Sequence, residues 1–292
     1  MASMYDAIAS NRRKSYLLFF LFFVIIILLS AFAGYFFGWP IGVIAIILGV
    51  VWGVISYFAA DKMVLAVSGA KPVTKEEYPH VYHSIEGLAI AAGLPTPKMY
   101  VINDTAINAF ATGRDPEHSA IVLTTGIIQR LNRQEIEGVI AHEMSHIQNR
   151  DVRLMVLSAI LVGVIALLAD ILLRTMFYSR GGGDRKQNPY LLIIGIAFII
   201  LAPISAFLIQ MALSRKREYM ADANGALLTR YPEGLASALE KISKDTEPLE
   251  VANKATAPLY IANPLKNSKS FLKNTFSTHP PIEDRIKILR AM

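Results

Sequence analysis

The sequence predicts a mainly α-helical, polytopic membrane protein in which four transmembrane helices carry a cytosolic α+β domain with a small β-sheet. Of its 292 residues, 53% are apolar and 18% charged, whereas soluble chains average about 45–50% and about 25%. The apolar excess is concentrated in four runs, and mixed helix and strand patterns lie between and after them. This composition excludes a disordered chain, and the absence of Cys excludes disulfides and Cys-ligated metals.

Four apolar runs are each long enough to cross a bilayer as a helix, which takes about 20 residues. They are residues 16–37, 40–60, 154–173 and 190–213. A cleaved signal peptide is an alternative for the first run, but a signal core of about 7–15 residues is shorter. A buried soluble hairpin is an alternative for the last two runs. We therefore expect four spans.

Lys and Arg residues near the ends of the runs predict the orientation. Most of them lie on the side of both termini, which places the termini and the polar segments in the cytosol. The loop 174–188 also carries four basic residues and is an exception. The domain organisation expected is 1–60 (tail and helices 1–2), 61–153 (first part of the cytosolic domain), 154–213 (hairpin) and 214–292 (second part). The location expected is the inner or cytoplasmic cell membrane.

The first polar segment has recognisable helix and strand patterns. Thr74 and Glu77 fit a capping box, which predicts a helix from Thr74 to about Ala92. Residues 98–103 and 120–125 are short and rich in β-branched side chains, which predicts strands.

A second capped helix follows these strands. Asn132 with Glu135 predicts its start, and no proline interrupts the chain up to residue 173, so the helix is expected to continue, with or without a bend, into the third run. Beyond the fourth run, helices are expected over 218–228, over 235–243 and from about Pro280.

A pair of histidines one helical turn apart carries the clearest chemical pattern. His142 and His146 lie on one face of the predicted helix, where both imidazoles reach one tetrahedral Zn²⁺. Glu143 is placed to take a proton from a metal-activated water as it attacks a carbonyl. In a chain with 6 His, chance gives such a pair with its Glu about 0.005 times. The alternative is a pair of structural histidines on a helix surface.

The predicted membrane hairpin supplies a third candidate ligand, which a catalytic zinc site needs. The chain returns to the same membrane face just before Glu218. At a rise of about 1.5 Å per residue, His146 and Glu218 stand about 12 Å and about 8 Å from the apolar boundary. Asp222, one turn later, would accept the other ring N–H of a ligating histidine. On spacing alone, a solvated acidic face beside basic residues 215–217 explains these two carboxylates equally well.

Taken together, these segments resemble a known family. Residues 142–146, the following Asn149-Arg150-Asp151 and residues 214–222 are similar to the HtpX family of membrane zinc metalloproteases, which belongs with the group that includes CAAX prenyl proteases. Residues 108–113 and 278–281 also match, so the resemblance covers nearly the whole chain. It implies a zincin-type metalloprotease domain with one Zn²⁺ per chain, Glu218 as the third ligand beside the two histidines, and Glu143 as general base.

The resemblance also implies roles around the metal. It places Asn149, Asp151 and Asp222 beside the ligands as supporting residues. It makes His279 the donor that stabilises the oxyanion of the transition state, although a His capping the last helix is the alternative. Arg285 either orients the site or pairs with an acidic neighbour.

A segment ahead of the zinc helix looks like the edge strand that holds substrate. An extended peptide would pair with its backbone, which suits broad specificity. Without the resemblance, an ordinary loop is the simpler interpretation. The segment consists of Asn108, Ala109, Phe110, Ala111, Thr112 and Gly113.

The function expected is a zinc endopeptidase that cleaves cytosol-facing segments of misfolded or damaged membrane proteins, in quality control and the stress response of bacteria or archaea. Its partners would be those substrates, the lipid bilayer and, as candidates, other membrane quality-control proteases, with no nucleic acid. One alternative is a membrane scaffold with a structural zinc, although structural sites use four protein ligands and often Cys. Another is a CAAX-type protease that acts on prenylated tails. Such a protease would need a large chamber, and four helices are too few to enclose one.

Overall fold

Two long helices lead the chain. The computed structural model describes residues 4–158, 215–252, 256–264 and 280–292, with only part of the side chains in the first two helices. Helix α1 spans Met4–Phe37 and α2 spans Trp39–Val67. Gly38 alone joins them, with a φ of 99° that favours glycine, and the two helices pack against each other.

Over the residues and side chains so described, none of the helices qualifies as long and apolar enough to cross a membrane.

A small mixed sheet of four strands follows α2 in the described part of the chain. The strands are β1 (Lys71–Pro72), β2 (Lys98–Ile102), β3 (Ala109–Gly113) and β4 (Ser119–Thr124), in the order β1-β2-β4-β3. β2 is parallel to β4, and the other two pairs are antiparallel. The strands predicted over 98–103 and 120–125 are confirmed, and β3 lies at one edge of this sheet.

Three helices stand around the sheet, namely α3 (Pro79–Ala92), α4 (Thr125–Arg130) and α5 (Arg133–Gln148). The start predicted for α3 is wrong, because the Thr74 N–H donates to the Glu77 carboxylate in a turn ahead of the helix. The helix begins at Pro79, whose fixed φ and missing N–H suit the first helical position. Its end before Gly93 is confirmed, as is the capping box of Asn132 and Glu135 on α5.

The predicted continuous helix into the third apolar run is also wrong. α5 ends at Gln148, and Arg150 takes a φ of 58°, an uncommon conformation for a residue other than glycine. Residues 151–158 then form a new stretch of helix. The rest of the third run, the fourth run and His279 lie outside the described residues.

The second part of the chain packs against α5. It contributes α6 (Arg215–Thr229), α7 (Pro232–Lys244) and α8 (Ile282–Leu289), and α5 packs against both α6 and α7. The helices predicted over 218–228, over 235–243 and near Pro280 are confirmed. The core lies between the sheet and these helices, with Phe110, Ile121, Ile140 and Met144 fully buried. The fold is thus mainly helical with a small mixed sheet, as predicted.

Candidate metal centre

Helix α5 holds two histidines on its buried face. Because they are four residues apart, their rings lie one turn apart, and their Nε2 atoms are 3.2 Å from each other. The rings meet nearly at right angles, with centroids 4.8 Å apart. Both side chains are buried. Because the two Nε2 atoms lie so close together, His142 and His146 direct ring nitrogens at one common point.

Glu218 of α6 faces the same point. Its carboxylate oxygens lie 3.7 Å from Nε2 of His142 and 3.5 Å from Nε2 of His146. One ligand atom from each of the three residues lies within 4.8 Å of the others, and all three residues are buried. Two imidazole nitrogens and a carboxylate are a donor set that suits Zn²⁺ in a catalytic site. These residues therefore fit a metal ion.

A glycine lets α6 come this close to α5. Gly225 lies seven residues, about two turns, after Glu218 and thus on the same face of α6. A Cβ built on Gly225 would stand 3.0 Å from the backbone N of His142 and 3.2 Å from its Cα. A side chain at this position would therefore push Glu218 away from the histidines.

A buried ion pair stands behind His142. Oδ1 of Asp222 lies 2.9 Å from Nδ1 of His142, and Arg285 donates to both Asp222 oxygens at 2.8 Å and 2.7 Å. Arg285 also donates to the Ile261 carbonyl. Burial raises the pKa of Asp222, but the Arg285 charge and the hydrogen bonds from His142 and Arg285 hold it well below its ordinary value. Asp222 thus stays charged and keeps the His142 proton on Nδ1.

A second carboxylate stands behind His146. Oδ2 of Asp151 lies 3.1 Å from Nδ1 of His146, and Oδ1 lies 3.6 Å from Nε of Arg217. Burial lowers the pKa of His146, but the hydrogen bond with Asp151 and the charge of Glu218 outweigh burial and raise that pKa to about 9 in the metal-free chain. Each histidine therefore has a carboxylate at Nδ1 and keeps Nε2 for the common point.

Glu143 lies beside the cluster with its side chain buried. Its exposed fraction is 2%, and burial raises the pKa of its carboxyl. The carboxylate accepts a hydrogen bond from the backbone N–H of Ala111 in β3. The candidate base and the candidate substrate strand are therefore in direct contact.

The outer side of β3 is partly covered by another segment of the chain. The Ala109 carbonyl accepts from the Ile261 N–H at 2.9 Å, and the Asn108 side chain donates to the Ala262 carbonyl at 3.1 Å. Phe110 packs edge-on against Tyr260 with ring centroids 4.9 Å apart. Of the segment 108–113, the beginning is covered and Ala111 faces Glu143, while Thr112 and Gly113 continue the buried strand.

One sequence-predicted residue, Asn149, contributes no side chain to the cluster, and one residue was missed. Asn149 ends α5 and donates from its side chain to Ser145, and His279 lies outside the described residues. The missed residue is Asn11 of α1, whose amide reaches Asp151 and the Asn149 carbonyl across 140 and 138 residues of sequence. No local spacing pattern links such distant positions, so the sequence carried no signal for it.

Comparison with known proteins agrees with this arrangement. The sequence profile of peptidase family M48 matches residues 75–292. A protein named protease HtpX homolog from Dictyoglomus thermophilum is 50% identical over 294 residues, which cover 99% of this chain and 95% of that protein. A protein of the same name from Thermoanaerobacter pseudethanolicus is 43% identical over 297 residues, covering 99% of this chain and 98% of that protein.

The crystal structure of S. mikatae Ste24p superimposes with a TM-score of 0.51 at 19% identity, over 97% of this chain and 66% of that one. At this identity the likeness concerns the fold. The profile match and the relatives together show that the chain belongs to peptidase family M48, among the HtpX proteases, and is a metallopeptidase.

Proposed function

We propose that the chain is a zinc-dependent, membrane-anchored endopeptidase that cleaves cytosol-facing segments of misfolded or damaged membrane proteins. One observation carries the proposal: the donor atoms of His142, His146 and Glu218 converge within 4.8 Å, with the buried carboxyl of Glu143 beside them. A structural zinc site is closed by four protein ligands. A scaffold with such a site would not need a buried carboxyl beside the ligands to accept a proton.

Zinc held by the two histidines and Glu218 would polarise the scissile carbonyl and lower the pKa of a water molecule. Glu143 takes a proton from the attacking water, whose oxygen forms a bond with the carbonyl carbon. The peptide C–N bond breaks as the leaving nitrogen receives that proton from Glu143. A carboxyl whose pKa is raised by burial suits this role, because it must hold the proton between the two transfers.

Residues around the ligands keep the site in a productive arrangement. Asp222 and Asp151 hold the Nδ1 protons of the histidines and thereby aim the Nε2 lone pairs. Arg285 acts through Asp222, which it holds in place by two hydrogen bonds. His279 would donate a hydrogen bond to the oxyanion that develops in the transition state.

The substrate would lie along β3 in an extended conformation. Ala111 is the strand residue in contact with Glu143, so backbone pairing there would bring a peptide bond next to the base. The Ile261 N–H already occupies the Ala109 carbonyl. Because the Ala111 N–H donates to Glu143, the peptide would pair from the Ala111 carbonyl toward Gly113.

The membrane part of the proposal rests on the sequence. The four apolar runs and their flanking Lys and Arg residues favour a multi-pass protein of the cytoplasmic membrane with its termini and site in the cytosol. Exposed apolar side chains on α2 support a lipid-facing surface, since monomeric soluble proteins rarely expose large apolar patches. They include Ile44, Ile47, Leu48, Trp52 and Ile55.

Zinc content and cleavage of an unfolded membrane protein in detergent test the proposal. Wild type is compared with Glu143→Gln and with Glu137→Gln, the same change at a residue of α5 that bonds Ser84 and Arg133. We expect one zinc per chain in all three and a loss of cleavage of about 100- to 10,000-fold in Glu143→Gln alone.

The other outcomes are equally informative. Retained cleavage in Glu143→Gln contradicts the mechanism. Zinc in every chain without any cleavage, including of several unrelated unfolded membrane proteins, favours the scaffold.

A further inference from the structure

We propose that Asn11 of α1 is a positioning residue for the metal site: it fixes Asp151 and, through Asp151, the ligand His146. The inference rests on the proposed zinc peptidase function and adds the leading helix to the machinery of the site. It assigns a role to a residue that lies outside the metal-binding segments of the sequence.

The contacts of Asn11 are those of a buried structural amide. Its exposed fraction is 3%, and its Nδ2 donates both to Oδ1 of Asp151 and to the Asn149 carbonyl, the latter at 3.0 Å. Ser15 donates from its hydroxyl to the Asn11 carbonyl one turn along α1 at 2.9 Å. Both amide hydrogens of Asn11 thus have defined acceptors.

Asp151 is held from two sides. Asn11 contacts Oδ1, while Oδ2 lies 3.1 Å from Nδ1 of His146. A carboxylate fixed at one oxygen cannot rotate freely, so the other oxygen keeps its direction toward the ring. Without Asn11, the nearby guanidinium of Arg217, with Nε at 3.6 Å from Oδ1, would be free to draw the carboxylate out of line with His146.

The same amide also supports the backbone where α5 ends. The Asn149 carbonyl belongs to the residue just before the left-handed turn at Arg150. Because Asn11 bridges this carbonyl and the side chain of Asp151, it holds together the two ends of the turn that brings Asp151 back to His146. Removal of the amide would loosen both contacts at once.

The consequence is that the metal site includes a residue of the leading helix. The ring orientation of a metal-ligating His and its basicity depend on the partner at its other nitrogen, and loss of such a partner costs about 10- to 100-fold in metal affinity. Asn11 lies one contact further out. We therefore expect its removal to raise the zinc Kd by about 3- to 10-fold, less than removal of Asp151.

The test measures zinc affinity of the full-length chain in detergent by competition with a chromophoric chelator. The variant Asn11→Leu keeps the branched shape of the side chain in a somewhat larger form but donates no hydrogen bond, and Asn103→Leu makes the same change at an exposed position. We expect a higher Kd in Asn11→Leu alone. The visible spectrum of the Co²⁺-loaded chain should also change in Asn11→Leu and not in Asn103→Leu, because it reports the geometry of the ligands.

A double-mutant cycle separates positioning from a general loss of stability. If Asn11 acts through Asp151, adding Asn11→Leu to Asp151→Ala raises the Kd by less than about twofold. If the factors by which the two single substitutions raise the zinc Kd multiply in the double variant, the inference is wrong. It is also wrong if the Kd of Asn11→Leu equals that of wild type.

Failure of the proposed function would look different. A wild-type chain that binds no zinc overturns both proposals, whereas normal zinc binding and cleavage by Asn11→Leu overturns only this one.

Discussion

His146 and Asp151 are in contact although helix α5 ends between them: Nδ1 of the histidine lies 3.1 Å from Oδ2 of the aspartate. In an uninterrupted helix, residues five apart point in directions about 140° apart and would not meet. The left-handed conformation of Arg150 turns the chain so that Asp151 points back at the ring. The break in the helix therefore provides the histidine with its carboxylate partner.

Zinc binding should depend steeply on pH because of this contact. Burial lowers the pKa of His146, but Asp151 and Glu218 raise it to about 9 in the metal-free chain. At neutral pH the ring therefore carries a proton that zinc must displace, and the Kd should fall as pH rises toward 9, by about tenfold per pH unit. Chelator competition at pH 6.5, 7.5 and 8.5 measures this slope.

Asp151→Asn is the matched control for the pH dependence. It keeps the size of the side chain but removes the charge that holds the proton on His146. We expect weaker binding at every pH and, between pH 7.5 and 8.5, a change in Kd of about twofold or less. Equal slopes in wild type and Asp151→Asn would contradict the assignment of the proton to this pair.

Asp222 and Arg285 should depend on each other for stability. Arg285→Met leaves the buried Asp222 carboxylate without its main partner, which costs about 3–5 kcal/mol of unfolding free energy. The double variant Asp222→Asn with Arg285→Met should lose less than the single variant, because no unpaired charge stays buried. Urea unfolding of the zinc-free chains measures both.

Arg290→Met provides the control for this pair. Arg290 follows α8 and forms ion pairs with Glu233 and Glu240 on the exposed surface, so we expect little change in stability. If Arg285→Met were as mild as Arg290→Met, the buried pair would not hold α8 and α6 together.

Gly225 should tolerate no side chain. Gly225→Ala places a methyl group 3.0 Å from the His142 backbone N, which costs about 1–3 kcal/mol of stability and moves Glu218 away from the histidines. We expect weaker zinc binding together with the lower stability. In Gly87→Ala, the methyl group meets nothing within 4 Å on the surface of α3, and helix propensity predicts a gain of about 0.5–1 kcal/mol. Zinc affinity in Gly225→Ala equal to wild type would show that α6 can shift without moving Glu218.

The cap of the metal-binding helix should affect stability without affecting the site. Asn132 accepts from the Glu135 N–H, and the Glu135 carboxylate accepts from the Asn132 N–H. Asn132→Ala removes half of this reciprocal cap and should cost about 1 kcal/mol. Cleavage per zinc-loaded chain should stay at the wild-type level, since the cap lies ten residues before His142. A loss of activity at full zinc loading would mean that the cap sets the geometry of the ligands.

The features that the sequence alone determined are local ones. The spacing of His142 and His146 puts both rings on one face because a helix repeats every 3.6 residues. The same kind of local rule predicted the cap at Asn132 and the strands that became β2 and β4. At Thr74, local rules were not enough: a capping-box pattern formed a turn instead, because Pro79 gave the helix a better start.

Only the tertiary structure decided which distant residues meet. On spacing alone, Glu218 fitted a solvated face as well as a ligand position, and Arg285 had no defined partner. The packing of α6 on α5 at Gly225 brought Glu218 to the histidines and Asp222 between His142 and Arg285. The contact of Asn11 with Asp151 likewise joins residues 140 positions apart. Periodicity along the chain constrains only neighbours within a few turns, whereas these contacts depend on how whole helices pack.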